Sequence, residues 1–127
     1  MASRGLTLDS GALIAYEGGQ QRMRALIVNA RDADRPITIP TVVLAETFRG
    51  QGSRWIDGLL GIADVEPLTA TLARRAGELL ARTGTRHTVD AIVAASAAQR
   101  GDLIVTSDPE DLQIYADDLP AIAIVRA

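Results

Sequence analysis

Four acidic residues stand apart because each ends or interrupts an apolar run. Asp9 closes "LTLD", Glu46 lies inside "TVVLAETF", Asp90 inside "TVDAIVAASAA", and Asp108 follows "LIVTS". A carboxylate with buried neighbours needs a compensating partner. If all four met in one cleft about 5 Å apart, each ionised pair would repel by roughly 3 kcal/mol at an effective dielectric near 20. Two remedies exist: some acids keep protons through raised pKa values, or a divalent cation neutralises them. The chain has no cysteine and one histidine, His87, so any such ion takes oxygen ligands, which points to Mg²⁺ or Mn²⁺ and to phosphoryl chemistry.

Taken singly, each acid has a structural reading as well. Asp108 suits an N-cap ahead of Pro109. Asp90 could complement the dipole of a helix capped by Thr88. Glu46 could pair with Arg49 or Arg4. Asp9 is harder to explain as a cap, since Ser10 is available for that task. His87, in "TRHTVD", reads as a surface residue in a turn.

The elements that must position these acids are visible as alternating patterns. Strand-like runs occur at 6–9, 37–40, 102–107 and 121–125, with a weaker one in "ADVEPL". Helical patterns lie between them: Gly11 to Glu17, Gln21 to Ala30, Val42 to Arg49, Arg54 to Leu60, Leu68 to Arg82 and Val89 to Arg100. Strands alternating with helices imply an α/β fold with a mainly parallel central sheet flanked by helices. Asp9 and Asp108 would then sit at the same C-terminal rim, where open α/β sheets build ligand sites. Asp32, Asp34, Asp117 and Asp118 read as solvated surface charges. Leu59, Leu60, Ile62 and Trp55 fit either the core or a partner surface.

A chain of 127 residues with 47% hydrophobic content suits one domain with a core of its own, residues 1–127. No basic leader followed by a long apolar run is present, so a soluble, cytoplasmic protein without a membrane span is expected. The net charge of -3 argues against a simple nucleic-acid-binding module, and 3% aromatic content argues against an extended base-stacking platform. All 13 basic residues are arginine, a side chain shaped for bidentate phosphate contact.

In their order and spacing, "LTLDSGALIA", "VVLAETFRG", "TVDAIVAASA" and "LIVTSDPEDL" resemble the PIN-domain ribonucleases, in particular the VapC toxins of type II toxin-antitoxin pairs. The resemblance implies a PIN-like three-layer sandwich and a metal-dependent endoribonuclease that cuts RNA to 5'-phosphate and 3'-hydroxyl ends. It assigns divalent-metal binding, Mg²⁺ or Mn²⁺, to Asp9, Glu46, Asp90 and Asp108, with Asp111 as the alternative to Asp108. Hydroxyl support would come from Ser10, with Thr106 or Ser107 as further candidates, because the family's Asp-Thr-Ser or Asp-Ser-Ser motif here reads Asp9-Ser10-Gly11. The resemblance also implies a homodimer and a cognate antitoxin whose basic tail can enter the acidic cleft. RNA would be gripped from the rim, for which Arg22, Arg24, Arg49, Arg82 and Arg86 are candidates. A binding module without catalysis would be expected to have lost one of the acids. An aspartyl-phosphate phosphatase would need a second acid two residues after Asp9, where Gly11 stands, and a lysine, of which there is none.

Overall fold

The computed structural model describes residues 4–127. Its centre is β1 (Leu6–Leu8), a strand buried along its whole length because helices cover both faces of the sheet. There follow α1 (Ser10–Glu17), α2 (Gln21–Asp32), β2 (Ile37–Pro40), α3 (Thr41–Thr47), α4 (Arg54–Leu60) and β3 (Asp64–Glu66). The chain continues through α5 (Ala70–Thr83), α6 (Thr88–Arg100), β4 (Leu103–Thr106), α7 (Pro109–Asp118) and β5 (Ala123–Arg126). Among the described residues the strands form one sheet in the order β3-β2-β1-β4-β5, and every neighbouring pair is parallel.

That order decides where a site can form. The connections leave β1 toward β2 on one side and return to β4 on the other, so a crevice opens at the carboxyl ends of β1 and β4. Leu8 is level with Val105, and the Asp9 backbone N–H continues the ladder to Val105 O at 3.2 Å. Asp9 and the "TSD" segment after β4 are therefore neighbours by strand register alone.

The core lies between the sheet and its helices, with Leu8, Leu13, Met23, Ile39, Val43, Ile104 and Tyr115 fully enclosed. Helix α6 runs through it, buried at every residue from Ala91 to Ala97, and its small side chains let α5 and the sheet approach closely. Gly101 stops α6 in a left-handed conformation, φ 71°, that an L side chain seldom adopts.

Four helix starts differ from the sequence reading, α1 and α3 by one residue each, at Ser10 rather than Gly11 and at Thr41 rather than Val42. Helix α5 begins at Ala70 rather than Leu68, because the Thr69 hydroxyl caps it by accepting from Leu72 N at 3.1 Å. Helix α6 already includes Thr88, and His87 occupies the capping position without a side-chain bond. The amides of its first turn thus stay unclaimed by any cap side chain.

A half-buried polar network that sequence patterning did not reveal gathers at the end of α6 away from Asp90. The Arg100 guanidinium donates to Asp102 at 2.8 Å, to Thr7 Oγ1 at 3.0 Å and to Ser96 Oγ at 2.9 Å, and pairs with Glu66. Thr7 also donates to Asp102 at 2.8 Å, and Ser96 to Glu66 at 2.6 Å. One cation thereby ties the C-terminal end of α6 to β1, to β3 and to the start of β4. Removing it would strand two carboxylates, one of them with only 4% of its side chain exposed. Arg100→Met is therefore expected to lower stability by about 2–4 kcal/mol in urea unfolding with an unchanged slope; a loss under about 0.5 kcal/mol would show that the network is not structural.

Candidate active site

Asp9 leaves β1 and becomes the N-cap of α1. Its carboxylate accepts from Ala12 N at 2.9 Å, so Asp9 itself, and not Ser10, caps this helix. A cap bond occupies one lone pair of an oxygen, which leaves most of the carboxylate able to face the crevice. Ser10 is turned to a different task, donating its hydroxyl to Glu46 of α3. Glu46 thus meets the site through Ser10. The ion pairs considered for it do not form: Arg49 donates to Ala45 O and Phe48 O, and Arg4 to Gly101 O, Asp102 O and Ala121 O.

Asp90 enters from the first turn of α6, where the partial positive charge of a helix N-terminus favours an anion. The loop before it is held by Tyr115 of α7, whose buried hydroxyl contacts Thr85 Oγ1 at 2.7 Å and His87 O at 3.4 Å. Asp108 stands at the capping position of α7, yet its side chain makes no cap bond. Instead its backbone N–H donates to Thr106 Oγ1 at 3.0 Å, a turn that leaves the Asp108 carboxylate uncommitted.

These side chains line one cavity of about 110 Å³, formed by Asp9, Ser10, Glu46, Asp90, Thr106, Asp108 and Asp111 with an apolar wall of Val89, Val93 and Leu112. Asp108 and Asp111 both line it. Asp108 lies within electrostatic reach of Asp9, and Asp111 of Asp90. The apolar wall was not singled out in the sequence, where Val89, Val93 and Leu112 were indistinguishable from core.

The surroundings raise the proton affinity of two of these acids. Burial pushes the Asp9 pKa up, the Thr106 hydroxyl and the Ala12 amide pull it partly back, and the charges of Asp108 and Glu46 push it further up. Burial also raises Asp90, reinforced by the charges of Asp111 and Asp9, lowered by His87 and raised again by Glu46. Asp9 and Asp90 are the sheltered members, while Glu46, Asp108 and Asp111 are open to solvent. No three acidic or imidazole side chains among the described residues are yet gathered closely enough to hold a metal ion. The cavity is ringed by carboxylates rather than closed over by them, as mutual repulsion requires.

Ser107 and Gly11 explain each other. A Cβ at position 11 would collide with Ser107 Oγ and stand 3.1 Å from its Cβ, so the departure from the Asp-Ser-Ser or Asp-Thr-Ser pattern has a steric counterpart just after β4. Thr106, fully buried between Asp9 and the Asp108 amide, is the hydroxyl that faces the acids. None of the five arginines considered for RNA lines the cavity. Arg82 pairs with exposed Asp118 at 3.0 Å, Arg49 closes the end of α3, Arg24 stacks on Trp55, and Arg22 and Arg86 are exposed.

Comparison with known proteins agrees with this architecture. Residues 6–117 match the family model of the PIN domain. Ribonuclease VapC10 of Mycobacterium tuberculosis is 32% identical over 114 residues, which covers 86% of this chain and 79% of the relative. Among solved structures, VapBC2 from Rickettsia felis bound to a promoter DNA fragment superposes with a TM-score of 0.73 at 16% identity, covering 96% of this chain and 98% of that one. DNA-bound VapBC from Salmonella typhimurium gives 0.71 at 20% identity with 98% of both chains covered. VapBC-5 from Mycobacterium tuberculosis gives 0.65 at 23%, covering 98% of this chain and 100% of that one.

The raised proton affinities carry a pH signature. A carboxylate that holds its proton more tightly when folded makes the native state bind more protons than the unfolded chain, so stability falls as pH rises from the ordinary value near 3.8 through the raised folded value. In chelator at pH 7, Asp9→Asn should raise the melting temperature by a few degrees, since Asn keeps the capping oxygen and removes the charge. The gain should fade by about pH 3, where the wild-type carboxyl is itself neutral; a mutant that melts below wild type at pH 7 would contradict the crowding.

Proposed function

The chain belongs to the PIN-domain family, among the VapC ribonucleases, and from that premise we propose that it is a divalent-metal-dependent endoribonuclease that hydrolyses RNA phosphodiester bonds and is neutralised by a cognate antitoxin. One observation carries the reading: five carboxylates from β1–α1, α3, α6 and α7 converge on a single cavity into which no arginine reaches. An anion substrate cannot enter such a cavity unless the charge is first offset.

The donors fit a hard cation. All are oxygens, from Asp9, Glu46, Asp90, Asp108 and Asp111 with the Thr106 and Ser10 hydroxyls beside them, which favours Mg²⁺ or Mn²⁺ over Zn²⁺. When bound there, the ion supplies Lewis-acid polarisation of the phosphodiester and lowers the pKa of its water. The sheltered pair, Asp9 and Asp90, is assigned most of the metal affinity, because a charge held away from water binds a counter-charge more strongly. Thr106 and the Ala12 amide fix the Asp9 carboxylate, and Tyr115 fixes the loop that presents Asp90. The exposed acids Glu46, Asp108 and Asp111 are assigned to orienting the attacking water and accepting its proton. Ser10 holds Glu46 in place for that role by its hydrogen bond.

The antitoxin reading has a surface to match. Between α1, α3 and α4 runs a groove of about 160 Å³ lined by Leu13, Leu44, Ile56 and Leu60, with Ile14 and Phe48 exposed at 62% and 53%. Glu17 and Asp57 border it. An amphipathic helix with an apolar face and basic flanks would cover these residues and bring cations to the neighbouring acids. The structural relatives include a toxin-antitoxin complex from Klebsiella pneumoniae and a member of the VapBC family of toxin-antitoxin systems from Mycobacterium tuberculosis, which supports assigning an antitoxin as partner.

Two measurements test this reading. With Mg²⁺ or Mn²⁺, purified protein should cut a pool of structured RNAs, and chelator, Asp9→Asn or Asp90→Asn should each reduce cleavage by at least about a hundredfold while circular dichroism stays native; full cleavage by folded Asp9→Asn would refute the site. Separately, Phe48→Asp should leave cleavage unchanged and weaken inhibition by the antitoxin encoded with the protein, and undiminished inhibition would remove the groove from the interface.

A further inference from the structure

We infer that the surface where α2 and α4 meet the end of α1 is a docking site for single-stranded RNA flanking the bond to be cut, an inference that rests on the ribonuclease reading above. The acidic cavity offers RNA no affinity beyond what a metal ion lends it, and the chain as a whole carries a net charge of -3. Binding a polyphosphate requires cations that are not already neutralised. Arg24, Arg31, Arg35 and Arg54 meet that condition: among the described residues none of them takes part in an ion pair.

They are also grouped. Arg31 and Arg54 line a hollow of about 310 Å³ with Trp55, Tyr16 and Ile62. Arg31, Arg35 and Ile62 line an adjoining hollow of about 450 Å³, where Asp34 is the one acid. Arg31 and Ile62 belong to both, so the surface is continuous.

Trp55 gives this surface its second recognition element. The Arg24 guanidinium lies 3.4 Å from the centre of the indole, and Tyr16 meets the ring edge-on at 5.8 Å and 84°. Arg24 is itself held, donating to Tyr16 O at 3.0 Å and Glu17 O at 3.3 Å at the end of α1. The ring is therefore fixed by two neighbours, with Arg24 over one face, while Trp55 as a whole residue is 40% exposed beside unpaired guanidiniums. A base stacked on the indole with its phosphates against Arg31 and Arg54 would use both features at once. One ring is not an extended platform, which agrees with the low aromatic content.

Other occupants fit less well. A second copy docked through this patch about a two-fold axis would bring four arginines against four. An acidic peptide would satisfy the arginines and leave the indole uncovered. Position favours the substrate, since α1 starts at the cavity with Ser10 and reaches Tyr16 six residues later, about 9 Å along the helix.

Trp55 is the only tryptophan in the chain, so its emission reports on this surface alone. Asp9→Asn protein, which binds without cutting, is titrated with a twelve-nucleotide oligouridine while tryptophan emission and the anisotropy of a labelled oligonucleotide are followed. The inference requires saturable quenching in step with anisotropy. Arg31→Ala with Arg54→Ala should flatten the logarithmic salt dependence of binding by about 0.7 for each arginine removed, and Trp55→Ala should weaken binding at least about fivefold. In the otherwise wild-type enzyme, the arginine variants should raise KM for long RNA and leave kcat unchanged.

Binding by anisotropy with unmoved tryptophan emission, or an unchanged salt slope, overturns the docking site. So does an emission change produced by protein concentration alone, which would identify a second copy as the occupant. The two readings fail separately: RNA that quenches Trp55 and is never cut by wild-type protein in Mg²⁺ or Mn²⁺ refutes the nuclease, whereas metal-dependent cutting with Trp55 silent refutes only the docking site.

Discussion

Mutual repulsion among carboxylates at one edge of the sheet is the constraint to which the rest of the molecule answers. The fold collects five acids around a cavity of about 110 Å³ and then surrounds them with fixed dipoles of the right sign. Helices α1, α6 and α7 all begin at this edge, so three N-termini direct partial positive charge toward Asp9, Asp90 and the Asp108–Asp111 turn. Hydroxyls do the finer work: Ser10 reaches Glu46, and Thr106 stands between Asp9 and the Asp108 amide. These groups moderate the repulsion without abolishing it, and burial, with the remaining repulsion added to it, raises the proton affinities of Asp9 and Asp90.

A site under such strain needs a stiff floor. The Arg100 network supplies anchorage for it, at the far end of the helix that carries Asp90 and on Thr7 of the strand that leads to Asp9. Its acids are fully matched with donors, and no buried side-chain nitrogen or oxygen among the described residues lacks a hydrogen-bond partner. The contrast between the two clusters is informative. Glu66 and Asp102 have a guanidinium between them, whereas the acids at the sheet's edge have none. Charge that is compensated internally holds the fold together; charge left uncompensated is available to a ligand.

Most of the fold was legible because hydrophobic periodicity and turn chemistry act locally. All five strands and six of the seven helices followed from runs of apolar residues and the breaks between them, α7 being read only as a helix start at Asp108-Pro109, and the parallel arrangement followed from their alternation. The meeting of Asp9 and Asp108 at one rim was legible for the same reason, since a strand-end acid has only one edge to occupy once strands are parallel, whereas Glu46 and Asp90, carried on helices, were joined to them by the family resemblance. What escaped was long-range pairing. Asp9 capping its own helix, the Ser10 to Glu46 bond, and the tie between Arg100 and Glu66 join residues whose partners no local pattern specifies. The surroundings of the arginines were hidden for the same reason. Arg82 is indistinguishable in sequence from Arg31 and Arg54, and only the folded chain shows that it is paired with Asp118.

The distribution of charge also orders the events the site can support. An acid-ringed cavity draws in cations and basic peptides and repels polyphosphates, so on the proposed reading a metal ion and a basic inhibitor segment compete for the same field. RNA sees that field only after the ion has reduced it. Placing the free arginines one helix length away, beyond the acids, lets the substrate be held without neutralising the carboxylates that must hold the ion. Binding and chemistry are thereby assigned to opposite ends of α1. An arginine inside the cavity would serve the first at the expense of the second, because it would satisfy Asp9 and Asp90 internally and remove their demand for a metal ion.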